Sequence, residues 1–327
     1  MRIASLLPAA TEWVVAFGGT DALVGRSHEC DYPPEVQSLP VLTAATYPQE
    51  DDARAIHNAV QERVQAGLSL YDVNLERLAT LEPDLVLTQA QCEVCAVSLS
   101  EIESDLRQHV PDVELFSMQP ATLKDVLDTA LRLGRTLSRA EAAMQYIAEH
   151  EQGLRTLHEA IGVERRTEPE TLPSVVCIEW TDPLMVAGHW TPDVVRHGGG
   201  HALLTEPGAP SRRIAWDELA AADPDVLFVM PCGFTLVDTA RNWEALTSHP
   251  AWPTLRAVQA DRVFVFDGNA YFNRPGPRLY RAIELVAQAL YPDAEAGPDA
   301  ALWERQQGRP VSASAHADVE PPGSMAN

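Results

Sequence analysis

Cys92 and Cys95 form a C-x-x-C pair, a spacing at which two thiolates can share a zinc ion or close a redox disulfide. His28, Cys30, Cys232 or His189 would complete a four-ligand set if the chain brings them together, with Glu29 or Glu179 accepting hydrogen bonds behind the ligands. No second C-x-x-C accompanies the pair, and free cysteine also packs as a small hydrophobe. Two expectations therefore stand side by side. In one, His28, Cys30, Cys92, Cys95 and Cys232 hold Zn or Fe; in the other, the cysteines simply pack at strand ends.

A second set of residues suits a flat ligand. Trp180, Trp190, Phe234, Tyr271 and Phe272 all follow β-type runs, and aromatic faces converging on one edge would grip a large planar molecule. Gly198-Gly199-Gly200 comes after the helical run Pro192 to His197, so it reads as a helix C-terminal turn and not as a phosphate cradle. No Ser-His-Asp order, nucleophile elbow or paired-carboxylate motif stands out, and a binding protein is expected in preference to an enzyme.

Short apolar runs alternating with helical patterns must position these residues. Ile3 to Leu7, Leu23 to Arg26, Asp84 to Thr88 and Val113 to Ser117 read as strands, and strands interleaved with helices imply parallel sheets covered on both faces. Ligands bind outside the carboxyl ends of such strands. Ser27-His28-Glu29-Cys30-Asp31-Tyr32, Gln89-Ala90-Gln91-Cys92, Glu179-Trp180, Pro231-Cys232-Gly233-Phe234 and Asp267 to Arg274 all follow strands in this way.

From Thr122, a candidate N-cap, to about Ile161 there is no proline, and Val126, Ala130, Leu133 and Leu137 recur at helical spacing. One helix of that length would run about 60 Å at 1.5 Å per residue, long enough to join two lobes. The pattern restarts after the Thr167 to Pro173 linker with strands at Ser174 to Glu179, Val226 to Met230 and Arg262 to Phe266. Asn74 to Asp84 before the strut and Trp216 to Asp225 after it share one plan, a short helix, a Pro-Asp turn and a buried strand. The expected organisation is an α/β lobe over 1–120, an inter-lobe helix over 121–166, a second α/β lobe over 167–292, and a disordered acidic tail over 293–327.

With 327 residues the chain is long enough for two cores. No apolar run approaches the roughly 18 residues of a membrane span, so the chain is not membrane-embedded. A formal net charge of -23, with Lys124 the one lysine, argues against nucleic acid as a partner. The amino terminus enters a strand with no apolar leader ahead of it, and five cysteines do not make a closed disulfide framework. The chain as written is expected in the cytoplasm, and at the periplasm or cell surface if its start is misassigned.

In this order, Leu6-Leu7-Pro8-Ala9-Ala10-Thr11-Glu12, Cys30-Asp31-Tyr32-Pro33-Pro34, Asn74-Leu75-Glu76-Arg77 with Glu82-Pro83-Asp84, the strut, and Gly188 to Gly200 followed by Arg278-Leu279 resemble a known family. It is the class III, helical-backbone substrate-binding proteins of ABC importers for cobalamin, ferric siderophores and haem, and the cobalamin-binding branch above all. The resemblance covers about Arg2 to Tyr291. It implies two Rossmann-like lobes with parallel sheets joined by one long α-helix, little hinge motion, and a corrinoid, cobalamin itself, bound in the cleft.

The ligand-binding set expected on that basis is His28, Glu29, Cys30, Tyr32, Gln91, Glu179, Trp180, His189, Trp190, Phe234, Tyr271, Phe272 and Arg274, with His28 or a cysteine approaching the metal. The resemblance also implies docking to an ABC permease through Glu76 and Asp217, which match one another seven residues before the proline of each Pro-Asp turn. A monomer is expected. An intracellular metalloprotein built on the Cys/His set is the alternative, and a ferric siderophore or haem binder the third reading, for which only Arg274 and Arg26 are placed.

Overall fold

The computed structural model describes residues 1–47, 52–66, 68–89, 99–162, 171–292 and 303–305. In the first lobe the elements run β1 (Ile3–Ser5), α1 (Pro8–Ala16), β2 (Leu23–Arg26), β3 (Thr43–Ala45), α2 (Ala53–Gln65), β4 (Tyr71–Val73), α3 (Leu75–Thr80), β5 (Leu85–Gln89), α4 (Leu99–His109) and β6 (Glu114–Met118). Their main sheet has the order β2-β1-β5-β6, with every pairing parallel. Strands β3 and β4 stand apart as an antiparallel pair, Thr43 opposite Val73 and Ala45 opposite Tyr71, with α2 carried between them.

Two helices follow, α5 (Leu123–Thr136) and α6 (Ala140–Ile161). Thr122 caps α5 in a reciprocal capping box with Asp125. The single long helix expected from the sequence is therefore interrupted: Ser138 takes a left-handed φ of 57°, and α6 folds back so closely that a Cβ on Gly134 would lie 2.4 Å from that of Ala143. Absence of proline does not guarantee continuity, because one left-handed residue costs only about 1–2 kcal/mol. Helix α6 then starts anew from Arg139, its N-cap, without a side-chain capping bond. The joining role falls to α6. Arg139, at its start, donates to the Phe17 carbonyl in the first lobe, and His158, near its end, meets the His197 carbonyl in the second.

The second lobe continues through β7 (Ser174–Thr181), β8 (Leu184–Val186), α7 (Thr191–His197), β9 (His201–Ala202), β10 (Arg212–Arg213), α8 (Trp216–Ala222), β11 (Val226–Val229), α9 (Leu236–Arg241), α10 (Glu244–Thr247), α11 (Arg256–Gln259), β12 (Val263–Phe266), α12 (Leu279–Leu290) and β13 (Trp303–Arg305). Its sheet is ordered β10-β8-β7-β11-β12-β13, parallel at the centre and antiparallel at both edges. Within the tail expected to be disordered, Trp303–Arg305 thus pairs with β12; the remainder of 293–327 lies outside the described residues.

Period-two alternation sorts the strand side chains. Val175, Cys177, Val226, Phe228, Phe264 and Phe266 face one core, while Val176, Ile178, Leu227, Val229, Val263 and Val265 face another. In the first lobe Ile3, Leu85 and Leu87 belong to the former core, and Ala4 and Val86 to a third. The former core is continuous: it runs from Trp13 and Phe17 through Leu133 and Ala143 to Val194 and Ile283, so one apolar layer ties both sheets to the strut.

Candidate functional site

Between the lobes lies a cavity of about 330 Å³, walled by residues at or past the carboxyl ends of β1, β2, β5, β7, β11 and β12. The first lobe supplies Leu6, Leu7, Pro8, Ser27, Glu29, Thr88 and Gln89; the second supplies Glu179, Trp180, Cys232, Asn269, Asn273 and Arg274. Strand-end placement is what a parallel sheet offers, because successive strands stop side by side at one edge.

The floor is an ion network that crosses the lobes. Arg274, 9% exposed, donates to Glu12 of α1, itself 1% exposed, at 3.1 Å, and to both carboxylate oxygens of Asp31 at 2.5 and 3.1 Å. It also reaches Asn269 at 2.8 Å. Arg278 clamps the same Glu12 with two hydrogen bonds of 2.7 and 3.0 Å and lies 4.3 Å over the Tyr32 ring. Burial would raise the Asp31 carboxyl, but the Arg274 guanidinium outweighs it and holds the group below the ordinary carboxylate range. Gly276 packs tightly beside this network, since a Cβ there would stand 3.2 Å from a Glu12 oxygen.

The flank is a hydroxyl chain. Thr43 Oγ1 donates to Ser27 Oγ at 3.0 Å, accepts from the His28 backbone N–H at 3.0 Å and shares a 2.7 Å hydrogen bond with His28 Nδ1. The His28 ring lies 5.8 Å from that of Tyr71, whose hydroxyl donates to Glu29. On the opposite lobe Ser211 donates to Glu179 at 2.8 Å, and Trp180 packs 5.1 Å from Phe234.

Of the residues singled out in the sequence, Glu29, Glu179, Trp180, Cys232 and Arg274 line the cavity, with His28 beside it and Phe234 backing Trp180. Trp190 and Phe272 lie instead in the core, 8% and 1% exposed, where the Trp190 indole donates to the Phe272 carbonyl. His189 stacks behind, against Trp190. Tyr32 and Tyr271 lie against the Arg278 guanidinium, at 4.3 and 5.8 Å, and are not among the residues that line the cavity.

Cys30 is buried against Thr11 Oγ1 at 3.1 Å, and burial pushes its thiol up to about 11, the opposite of what a thiolate ligand requires. Gln91, Cys92 and Cys95 lie outside the described residues. Among the described residues no group of three His, Cys, Asp or Glu side chains is placed to hold a metal ion, so Cys30, His28 and Cys232 do not converge as the metal expectation required.

The strand-end rule missed Tyr47, Ile56, His57, Val60 and Tyr71, which close the cavity from the β3–α2–β4 excursion. The i, i+4 spacing of Ile56 and Val60 was the available signal.

Among the described residues no helix is long and apolar enough to cross a membrane. A family model described as periplasmic binding protein matches residues 3–270. The vitamin B12-binding protein of Vibrio cholerae serotype O1 is 25% identical over 292 residues, 88% of each chain. Among solved structures, a periplasmic haem-binding protein from Pseudomonas aeruginosa superposes with a TM-score of 0.70 at 22% identity, covering 94% of this chain and 98% of that one. The periplasmic vitamin B12-binding protein of Vibrio cholerae gives 0.62 at 23%, covering 88% and 96%.

Proposed function

This chain belongs to the periplasmic binding protein family, and we propose that it is the substrate-binding component of an ABC importer and holds a corrinoid of the cobalamin type in the inter-lobe cleft. The family is one of binding proteins, not enzymes. The observation that carries the ligand class is which polar groups a largely apolar cleft presents. Among its described lining residues the one guanidinium, Arg274, is already paired with Glu12 and Asp31, while Glu29, Glu179, Gln89, Asn269, Asn273, Ser27 and Thr43 offer acceptors and amides. A cobalamin carries a rim of amide side chains around a cationic metal and matches that set. Haem carries two propionates and would need cations that this lining spends on its own acids.

Haem is the second reading, supported by the phenols of Tyr47 and Tyr71 at the cavity wall, since phenolate is an established haem-iron ligand.

Within the same reading Glu76 and Asp217 are the acidic contacts for a permease. Both are exposed first-turn residues of α3 and α8, the equivalent helices of the two lobes. An importer's receptor works outside the cytoplasmic membrane, so this reading sets aside the cytoplasmic placement expected from the amino terminus.

Titration with hydroxocobalamin and, in parallel, with haem, each followed by gel filtration, tests the proposal. Corrinoid colour travelling with the protein, weakened by Glu179→Ala, is the expected result; co-elution of haem alone would transfer the site to the second reading.

A further inference from the structure

Helix α2 belongs to the first lobe by connection but touches the second. Arg54 makes a bidentate pair with Asp182, in the turn between β7 and β8, at 2.5 and 2.6 Å. The Ala53 backbone N–H donates to Asn242 Oδ1, after α9, at 2.7 Å, and Arg213 of β10 donates to His57 Nε2 at 2.6 Å. Between these polar pins Ile56, His57 and Val60 face the cavity.

Among the described residues the helix is held to its own lobe mainly at its C-terminal end, where Arg63 donates to the Ser69 carbonyl at 3.0 Å. Ala53 is its one buried residue, and its connection to the lobe is the three-pair β3–β4 ladder, extended by Thr46, which bonds Leu70 and Ser69. The two side-chain pins are the more exposed, Arg54 at 67% against 24% for Asp182, and exposed ion pairs are weak and screened by salt, whereas the Ala53–Asn242 bond is buried. The cavity of about 330 Å³, open to solvent on one side, stands near the lower limit of the ~300–1,000 Å³ typical for drug-sized ligands. A corrinoid with its nucleotide loop is larger than that class.

Resting on the ligand reading above, we propose that α2 is a displaceable roof that selects the ligand: it lifts off the second lobe by breaking the Arg54–Asp182, Ala53–Asn242 and His57–Arg213 contacts, admits a planar ligand, and then packs Ile56 and Val60 on its face. The β7–β8 turn couples roof and wall, because the Trp180 indole, itself at the cavity, donates to the Asp182 carbonyl at 3.0 Å.

Hydrogen exchange on the full-length, ligand-free protein tests the motion without assuming any ligand. Amides of 53–65 should exchange faster than those of β5, and Arg54→Ala or added sodium chloride should speed them several-fold while β5 is unchanged. Protection of α2 equal to that of β5, or no response to Arg54→Ala, overturns the proposal.

Contact with ligand is read separately. Hydroxocobalamin should slow exchange in α2, Arg54→Ala should raise its association rate, and Ile56→Ala with Val60→Ala should weaken its affinity about tenfold. Unchanged affinity in that double variant would overturn the roof contact. Failure of the wild-type protein to bind hydroxocobalamin or haem would remove the ligand reading, with the exchange experiment still deciding whether α2 opens.

Discussion

The two lobes are built on one plan and finished differently. In each, a residue with left-handed φ, Glu82 at 43° or Asp223 at 37°, precedes a Pro-Asp turn, and the aspartate secures the start of that lobe's first strand. Asp84 accepts from the Arg2 backbone N–H at 2.6 Å, and Asp225 accepts from the Ser174 backbone N–H and hydroxyl at 2.9 and 2.7 Å. Beyond that shared clamp the first lobe spends its chain on the β3–α2–β4 excursion, while the second lobe folds β8 and β10 antiparallel onto its own sheet. The second lobe thus offers a wall continuous with its own sheet and the first a roof held to it by polar contacts. The clamp specifies the architecture; the excursion shapes the cleft.

The largest expected effect comes from breaking what the lobes share. Arg274→Met would leave Glu12, 1% exposed, with Arg278 alone and Asp31 without its bidentate partner. Loss of one member of a buried ion network costs about 3–5 kcal/mol, and urea unfolding would register it as a drop in midpoint for the whole chain. No change would mean that the lobes are joined by apolar packing alone.

Next is the seating of α6 on the second lobe. His150 is 6% exposed, packs edge-on to Tyr280 at 5.1 Å, and has no hydrogen-bond partner for either ring nitrogen; burial drives it down to about 4. His197, half-buried and beside Arg196, falls to about 4. Between the ordinary histidine value near 6.5 and those folded values the unfolded chain binds more protons, so the histidine contribution to stability must fall as pH drops through that window and level off below about 4, where loss of the Asp31 pairing takes over. The span is worth a few kcal/mol for His150. Thermal melts from pH 7 to 4 should show the slope, and His150→Leu should flatten it; an unchanged slope would shift the cause to His197.

Smallest is the contrast between the two clamps. Asp225→Ala removes two hydrogen bonds to a partly buried serine and should cost about 2 kcal/mol, whereas Asp84→Ala, at an exposed chain start, should cost about 1 kcal/mol or less. Equal costs, measured by denaturant unfolding, would show that the two copies carry equal load.

Much of this plan was legible before any coordinates. Alternating strand and helix patterns, the repeated Pro-Asp segments and the Thr122 cap all depend on neighbours in sequence, and the structure has them as read. What escaped the sequence depended on distant partners. Trp190 and Phe272 follow strands, as cleft residues would, yet they turn inward because the indole finds its acceptor in the Phe272 carbonyl, 82 residues away. Cys30 looks like a strand-end thiol until Thr11 and its burial are seen. The α2 residues sit at no strand end, so a rule about strand ends could not find them, and nothing in Ala53 to Val60 announces Asp182 or Asn242 as partners.

The apolar layer that runs unbroken from Trp13 through α5 and α6 to Ile283 has a bearing on unfolding. Two lobes with separate cores melt in two steps, and a ligand on one protects only that one. Here neither lobe can shed its inner face without exposing the other's, so the pair should melt as one cooperative unit. Whatever the cleft binds then stabilises the entire chain by mass action, including strands far from the ligand, and a single calorimetric transition that moves with ligand concentration would report occupancy of the site from anywhere in the molecule.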